Sequence, residues 1–99
     1  MTLDPRISMI TLGVADVAEA TAFYQRLGFR RSSASNDDVT FFHMKGTVLG
    51  LFGRDALAAD ADVEPTRPQG FEGVALAHNL SSRAEVDAAW AFAVDCGVR

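Results

Sequence analysis

The sequence predicts an α+β domain: an antiparallel-rich mixed sheet with its helices on one face. Three observations support this prediction. The order strand, helix, three strands, linker, strand and helix is a faint internal repeat. A capping box precedes each long helical pattern, and a hairpin pattern lies between the two helices. We therefore expect one βαβββ module followed by a partial second module that contains a strand and a helix.

The first two elements are a strand and an amphipathic helix. Residues 7–14 alternate imperfectly between apolar and mixed positions, which is typical of a strand. Asp16, with Glu19 three residues later, predicts the start of a helix over residues 17–27. Gly28 is expected to end this helix, because glycine readily takes the left-handed conformation that follows a helix.

Three strands are predicted after this helix, over residues 29–35, 39–44 and 47–52. The last two are rich in β-branched and aromatic residues and flank Lys45-Gly46, so they are expected to form a hairpin. A polar turn separates the first of these strands from the hairpin.

The length of the hairpin loop stays open, because both two and three residues fit the sequence. This length sets the register of the two strands. In one register Phe41 and His43 share a face with Gly50, and in the other Phe42 and Met44 do. The space that Gly50 leaves can then take an aromatic ring, either that of Phe41 or Phe42 or that of a bound molecule.

The domain organisation follows from a change in composition after the hairpin. Residues 1–53 are expected to form the first module, residues 54–70 a linker or lid with one or two helical turns, and residues 71–99 the incomplete second module. Within the last part we expect a strand over residues 73–80, and then a helix whose first turn is a second capping box, Ser82 to Glu85. The remaining strands of the second module are expected to be missing.

Composition and charge exclude several classes of protein. The 99 residues carry a net charge of −4, and the basic residues are scattered, so we expect no nucleic-acid partner. No apolar run is long enough to span a membrane, the N-terminus does not resemble a signal peptide, and a cytoplasmic location is expected. The single cysteine, Cys96, cannot form an internal disulfide. A domain of this size is marginally stable alone, so we expect a homodimer.

Residues 13–29 carry a family resemblance. They contain Val-x-Asp at the end of the first strand, Phe-Tyr within the helix and Leu-Gly-Phe after it. This pattern resembles the glyoxalase, bleomycin-resistance protein and extradiol dioxygenase superfamily, also called the vicinal-oxygen-chelate superfamily. The resemblance implies paired βαβββ modules whose sheets curl around a pocket, which dimerisation often completes.

Many relatives in this superfamily bind one divalent metal ion through residues of matching strands. The resemblance places three of these ligand positions on or near Met9, Gly50 and Gly73. A thioether and two glycines do not offer the oxygen or imidazole donors that such an ion requires. His43, Glu72 and His78 are the candidate replacements, and we expect ordinary structural roles for them. We therefore predict no metal and no cofactor.

The expected function is that of a metal-free member of this superfamily that binds a small organic molecule in a sheet-lined pocket. The alternatives are a metal-dependent lyase, isomerase or dioxygenase of the same superfamily and a truncated, non-catalytic homologue. No catalytic residue is predicted. The sequence has no Gly-x-Ser-x-Gly motif, and the serines assigned to turns or a cap are Ser32, Ser33, Ser35, Ser81 and Ser82. The predicted ligand-binding residues are Met9, Thr11, His43, Val48, Gly50, Phe52, Gly73 and Ala75.

Overall fold

The computed structural model describes residues 1–67 and 69–98, and the chain divides into two compact units, Met1–Pro65 and Thr66–Arg99. The predicted α+β class is confirmed. The elements in chain order are β1 (Met9–Val14), α1 (Val17–Arg26), β2 (Val39–His43), β3 (Val48–Gly53), α2 (Arg54–Asp60) and α3 (Arg83–Cys96).

The first unit is built on a mixed sheet with the strand order β1-β3-β2. β1 runs parallel to β3, which is possible because α1 and β2 lie between them in the sequence, and β2 runs antiparallel to β3. The central row of the sheet is formed by Thr11, Gly50 and Phe41.

The hairpin between β2 and β3 has a two-residue loop. The backbone N–H of Met44 donates to the carbonyl of Thr47 over 2.8 Å, so Lys45 and Gly46 form the turn. Gly46 has φ +92°, a conformation that glycine adopts without steric penalty. The two-residue loop settles the open register, because it pairs Phe41 with Gly50 and thereby puts Phe41 and His43 on the face of Gly50.

The predicted caps of α1 are confirmed. A side-chain oxygen of Asp16 accepts a hydrogen bond from the backbone N–H of Glu19 over 2.9 Å, which satisfies one of the free donors at the start of the helix. The helix ends at Arg26, and Gly28 turns the chain with φ +106°.

The core lies between α1 and the sheet. Phe42 and Leu51 are fully buried, and Leu49 is 6% exposed. Tyr24 of α1 stacks on Phe29 with the ring centroids 5.6 Å apart, and partial burial raises the pKa of Tyr24 above its usual value. The partly buried side chains that pack against this core are Leu12, Val14, Ala20, Tyr24, Phe29 and Met44.

A pair of buried hydroxyl groups joins α1 to β2. Thr21 and Thr40 are 8% and 2% exposed, and their Oγ1 atoms are 2.7 Å apart, a hydrogen bond in which either group can be the donor. Removal from water is unfavourable for a hydroxyl unless it is hydrogen-bonded, so each threonine satisfies the other.

The predicted strand over residues 29–35 is wrong. The segment makes one isolated bridge, between Arg31 and Phe42, and the N–H of Ser32 donates to the carbonyl of Phe41. The next donor of β2, the N–H of Phe41, bonds instead to the hydroxyl oxygen of Ser35 over 2.9 Å. Since a serine side chain takes a position that a strand backbone would otherwise occupy, the segment turns away from the sheet edge.

The helical turns expected after the hairpin are present as α2, which follows β3 directly. This helix contacts β1 and β3. A Cβ atom built on Gly13 would lie 3.2 Å from Cδ2 of Leu57, so the absence of a side chain at Gly13 allows α2 to approach β1 closely.

In the second unit the predicted helix is confirmed and the predicted strand is wrong. The hydroxyl oxygen of Ser82 accepts from the N–H of Glu85 over 3.1 Å, and Gly97 ends α3 with φ +114°. Residues 73–80 do not form a strand, and their side chains are exposed. A segment with the sequence pattern of a strand does not form a strand unless a neighbouring strand pairs with it.

No helix within residues 1–67 or 69–98 is long and apolar enough to cross a membrane.

Replacement of Thr40 alone should destabilise the first unit. In Thr40→Val the hydroxyl of Thr21 stays buried without its partner, and we expect a loss of about 1–3 kcal/mol in the free energy of unfolding. In the Thr21→Val/Thr40→Val double variant neither hydroxyl remains, and stability should return close to that of the wild type. Urea unfolding followed by circular dichroism measures both. A double variant less stable than Thr40→Val would contradict this account of the pair.

Candidate functional site

The face of the sheet opposite the core carries most of the predicted binding residues, and we call it the open face. Side chains alternate between the two faces along each strand. Because Leu49, Leu51 and Phe42 point into the core, the residues between them point to the other side. The residues of the open face are Met9, Thr11, Gly13, Val39, Phe41, His43, Val48, Gly50 and Phe52. At the end of the face where Gly13 lies, Leu57 of α2 packs against the sheet.

The centre of the open face is closely packed. A Cβ atom built on Gly50 would lie 3.2 Å from the hydroxyl oxygen of Thr11 and 3.7 Å from the ring of Phe41. The space that glycine leaves in the central strand is therefore taken by the Phe41 ring and the Thr11 side chain. Gly50 itself is buried.

The margins of the open face are more accessible. Met9 is 46% exposed, His43 is exposed, and Val48 and Phe52 are partly exposed. His43 pairs with Val48 at one end of the sheet, and Phe52 lies at the other end. Accessible apolar side chains thus surround a filled centre, with the Thr11 hydroxyl and the His43 imidazole as the polar groups.

A pocket of about 620 Å³ lies beside the end of the sheet where Phe52 is found. Its wall includes the residues that start α1 and α2, among them Asp16 and Gly53, together with Asp37 and Asp38 of the loop before β2. Of the predicted binding residues, Phe52 lines this pocket. The volume falls within the usual range for small-molecule sites, about 300–1,000 Å³.

Gly73 and Ala75 belong to the second unit, in which both are exposed and neither is in a strand. Gly73 has φ +87°, and nothing lies within 4 Å of a Cβ atom built on it. That these two residues line a pocket with those of the open face remains a prediction.

The sequence does not decide on which face of the sheet Phe41 lies. The sequence makes Phe41 and Phe42 equal candidates for the face of Gly50, because the choice depends on the length of the hairpin loop. The signal that favours Phe41 is Gly46: placed second in a two-residue loop, it takes the positive φ that such a turn requires.

The donor groups of the open face are too few to hold a divalent metal ion, because His43 offers a single imidazole and Thr11 a single hydroxyl. Gly50 has no side chain, and the Phe41 ring and the Thr11 hydroxyl already take the space beside it. Met9 offers a thioether, which suits soft metals and is a poor ligand for a hard ion. In the part of the chain that the structure describes, no group of three or more histidine, cysteine, aspartate or glutamate side chains is placed to hold a metal.

An apolar surface with few polar groups is suited to binding an organic molecule more than to acid–base chemistry, which requires positioned groups with matched pKa values. The βαββ unit, with its core on one face of a three-stranded mixed sheet and an apolar surface at the margins of the other, defines the class: a small α+β module.

The chain belongs to the Glyoxalase/Bleomycin resistance protein/Dioxygenase superfamily, whose family model matches residues 6–99. The resemblance seen in residues 13–29 is therefore confirmed. No match was found among curated proteins.

Solved structures show the same fold. A glyoxalase-related enzyme from Fulvimarina pelagi is 30% identical, with a TM-score of 0.80 over 94% of this chain and 66% of that one. A glyoxalase/bleomycin resistance protein/dioxygenase from Nocardioides is 24% identical, with a TM-score of 0.81 over 100% of this chain and 66% of that one. A lactoylglutathione lyase from Agrobacterium tumefaciens is 18% identical, with a TM-score of 0.60 over 99% and 75%. The chain thus spans 66% of the length of the first two structures.

A branched side chain at Gly50 should be overpacked between Thr11 and Phe41, because its Cβ atom would already lie 3.2 Å from the Thr11 hydroxyl and its methyl groups would extend toward the Phe41 ring, 3.7 Å away. We expect Gly50→Val to reduce the free energy of unfolding by about 1–3 kcal/mol, the usual effect of overpacking. Combined with Phe41→Ala, which removes the ring, the loss should fall short of the sum of the two single losses by about 0.5–3 kcal/mol. Chemical denaturation of the wild type, the two single variants and the double variant gives the four unfolding free energies of this double-mutant cycle. Strictly additive losses would contradict the contact between the ring and Gly50.

Proposed function

We propose that the chain is a metal-free member of the superfamily that binds a small organic molecule against the open face. The observation that carries this proposal is the combination at the centre of the sheet: the Phe41 ring lies over Gly50, and partly exposed apolar side chains surround it. Burying such a surface against an apolar ligand is favourable by roughly 25 cal/mol for each Å² removed from water.

The ligand that best suits this surface is flat and mainly apolar. The Phe41 ring can stack against an aromatic ligand, since offset and edge-to-face arrangements of rings are both favourable. Met9 is flexible and polarisable, so it adapts to ligands of different shape. The Thr11 hydroxyl and the His43 imidazole are available to orient one polar substituent.

Three further parts of the proposal extend beyond the open face. Gly73 and Ala75 are proposed as additional lining residues, a homodimer as the assembly that encloses the ligand, and the cytoplasm as the location. The marginal stability of a domain of this size supports the dimer. No catalytic residue is proposed.

Charge placed on the open face should weaken binding. Met9 and Ile10 are neighbours on β1 with similar exposures, 46% and 40%, but their side chains point to opposite faces. Titration with indole and with phenol, followed by NMR shifts of backbone amides, should give saturable shifts at Thr11, Gly50 and His43. Met9→Lys should weaken this binding about tenfold, because a lysine keeps its charge hydrated.

The matched control is Ile10→Lys, which should leave the affinity within about twofold of the wild type. Equal losses in the two variants, or shifts confined to residues off the open face, would overturn the assignment of this surface.

Divalent metals should not bind tightly. Calorimetric titration of the purified chain with nickel, zinc, manganese and ferrous iron should give no stoichiometric binding, because the open face lacks a set of hard donors. The chain has two histidines, His43 on the open face and His78 in the second unit, which provides a matched pair of alanine variants. One-to-one binding that His43→Ala abolishes and His78→Ala leaves intact would favour the metal-dependent alternative instead.

A further inference from the structure

A second cavity lies on the helix side of the sheet, between α1 and the segment that joins α1 to β2. Its volume is about 250 Å³. It reaches Thr40, which points to the same side of β2 as the core residue Phe42 and away from Phe41. This cavity, which we call the recess, is therefore separate from the open face.

The inner wall of the recess is polar. It includes the hydrogen-bonded pair Thr21 and Thr40, of which Thr40 is 2% exposed. The two hydroxyls carry two hydrogens, and the bond between them uses one. A buried threonine pair leaves a hydroxyl hydrogen for an acceptor, whereas a valine pair of the same shape would pack equally well and offer none.

The rim of the recess is rich in donors. Arg31 lines it and donates from Nη2 to the carbonyl of Asn36 over 3.3 Å, one contact among the five N–H groups of a guanidinium. The side-chain oxygen of Asn36 accepts from the N–H groups of Asp38 and Val39, so the amide presents its NH₂ as the remaining donor end. Gln25 of α1 adds a second amide to the lining.

One acidic residue, Asp37, also lines the recess. A guanidinium and a carboxylate at the same small cavity favour a ligand that carries both an acceptor and a donor. A bare anion would meet repulsion from Asp37, and a bare cation would meet repulsion from Arg31.

We propose that the recess binds a small carboxylate that also carries a hydroxyl or ammonium group. The carboxylate accepts from Arg31 and from the free hydroxyl hydrogen of the threonine pair, and the hydroxyl or ammonium group donates to Asp37. An arginine–carboxylate contact is a strong, charge-assisted hydrogen bond, which suits it as the anchor of so small a ligand. This site is independent of the function proposed for the open face.

The test is an NMR titration of the full chain with four probes: glycolate, glycine, acetate and ethanolamine. Glycolate or glycine should give saturable amide shifts at Gln25, Asn36 and Thr40. Acetate, which lacks the donor, should bind at least about threefold more weakly, and ethanolamine, which lacks the carboxylate, should give no saturable shift.

Two neighbouring arginines provide the matched variants. Arg31→Gln should weaken binding at least about tenfold, and Arg30→Gln, at a residue that does not line the recess, should leave it within about twofold. Both side chains are exposed, so both variants should fold, which their amide spectra will show. The proposal is overturned if no probe gives saturable shifts, if ethanolamine binds as well as glycine, or if Arg31→Gln and Arg30→Gln behave alike. The Met9→Lys variant, which changes the open face, should bind these probes as the wild type does. The proposal for the recess can therefore fail or succeed independently of the proposal for the open face.

Discussion

The alternation of side chains along β3 is the constraint on which the first unit depends. Leu49 and Leu51 point to α1 and form the core with Phe42, so Gly50 and Phe52 must point to the other side. A slip of one residue would exchange the two sets and expose the core, so the hydrophobic effect holds the register in place. Burial of the core side chains on one face of the sheet therefore determines which side chains lie on the open face.

The same constraint explains why the centre of the open face is filled and its margins are not. Once Phe41 is paired with Gly50, its ring takes the space beside the glycine together with the Thr11 side chain. A metal ligand at Gly50 would have to displace that ring. The resulting surface is apolar, with Met9 accessible at one margin, which is why binding of an organic molecule suits it better than metal chemistry.

Local features could be read from the sequence, and features that need a distant partner could not. The caps at Asp16 and Ser82 involve residues three apart, so their patterns are sufficient to predict them. The strand predicted over residues 29–35 fails because the Ser35 hydroxyl bonds the β2 edge, and residues 73–80 have the composition of a strand without forming one. Composition does not determine the length of the hairpin loop, and this length decides whether the Phe41 ring lies beside Gly50. The packing at the centre of the candidate site could therefore not be predicted from the sequence.

The most direct test of this account is an NMR measurement of the distances around Gly50. We expect nuclear Overhauser contacts from the ring protons of Phe41 to the α protons of Gly50 and to the side chain of Thr11, and from the Phe42 ring to Tyr24 instead. Contacts from the Phe42 ring to Gly50 would show that the strands pair in the other register, and would contradict both the core and the open face described above.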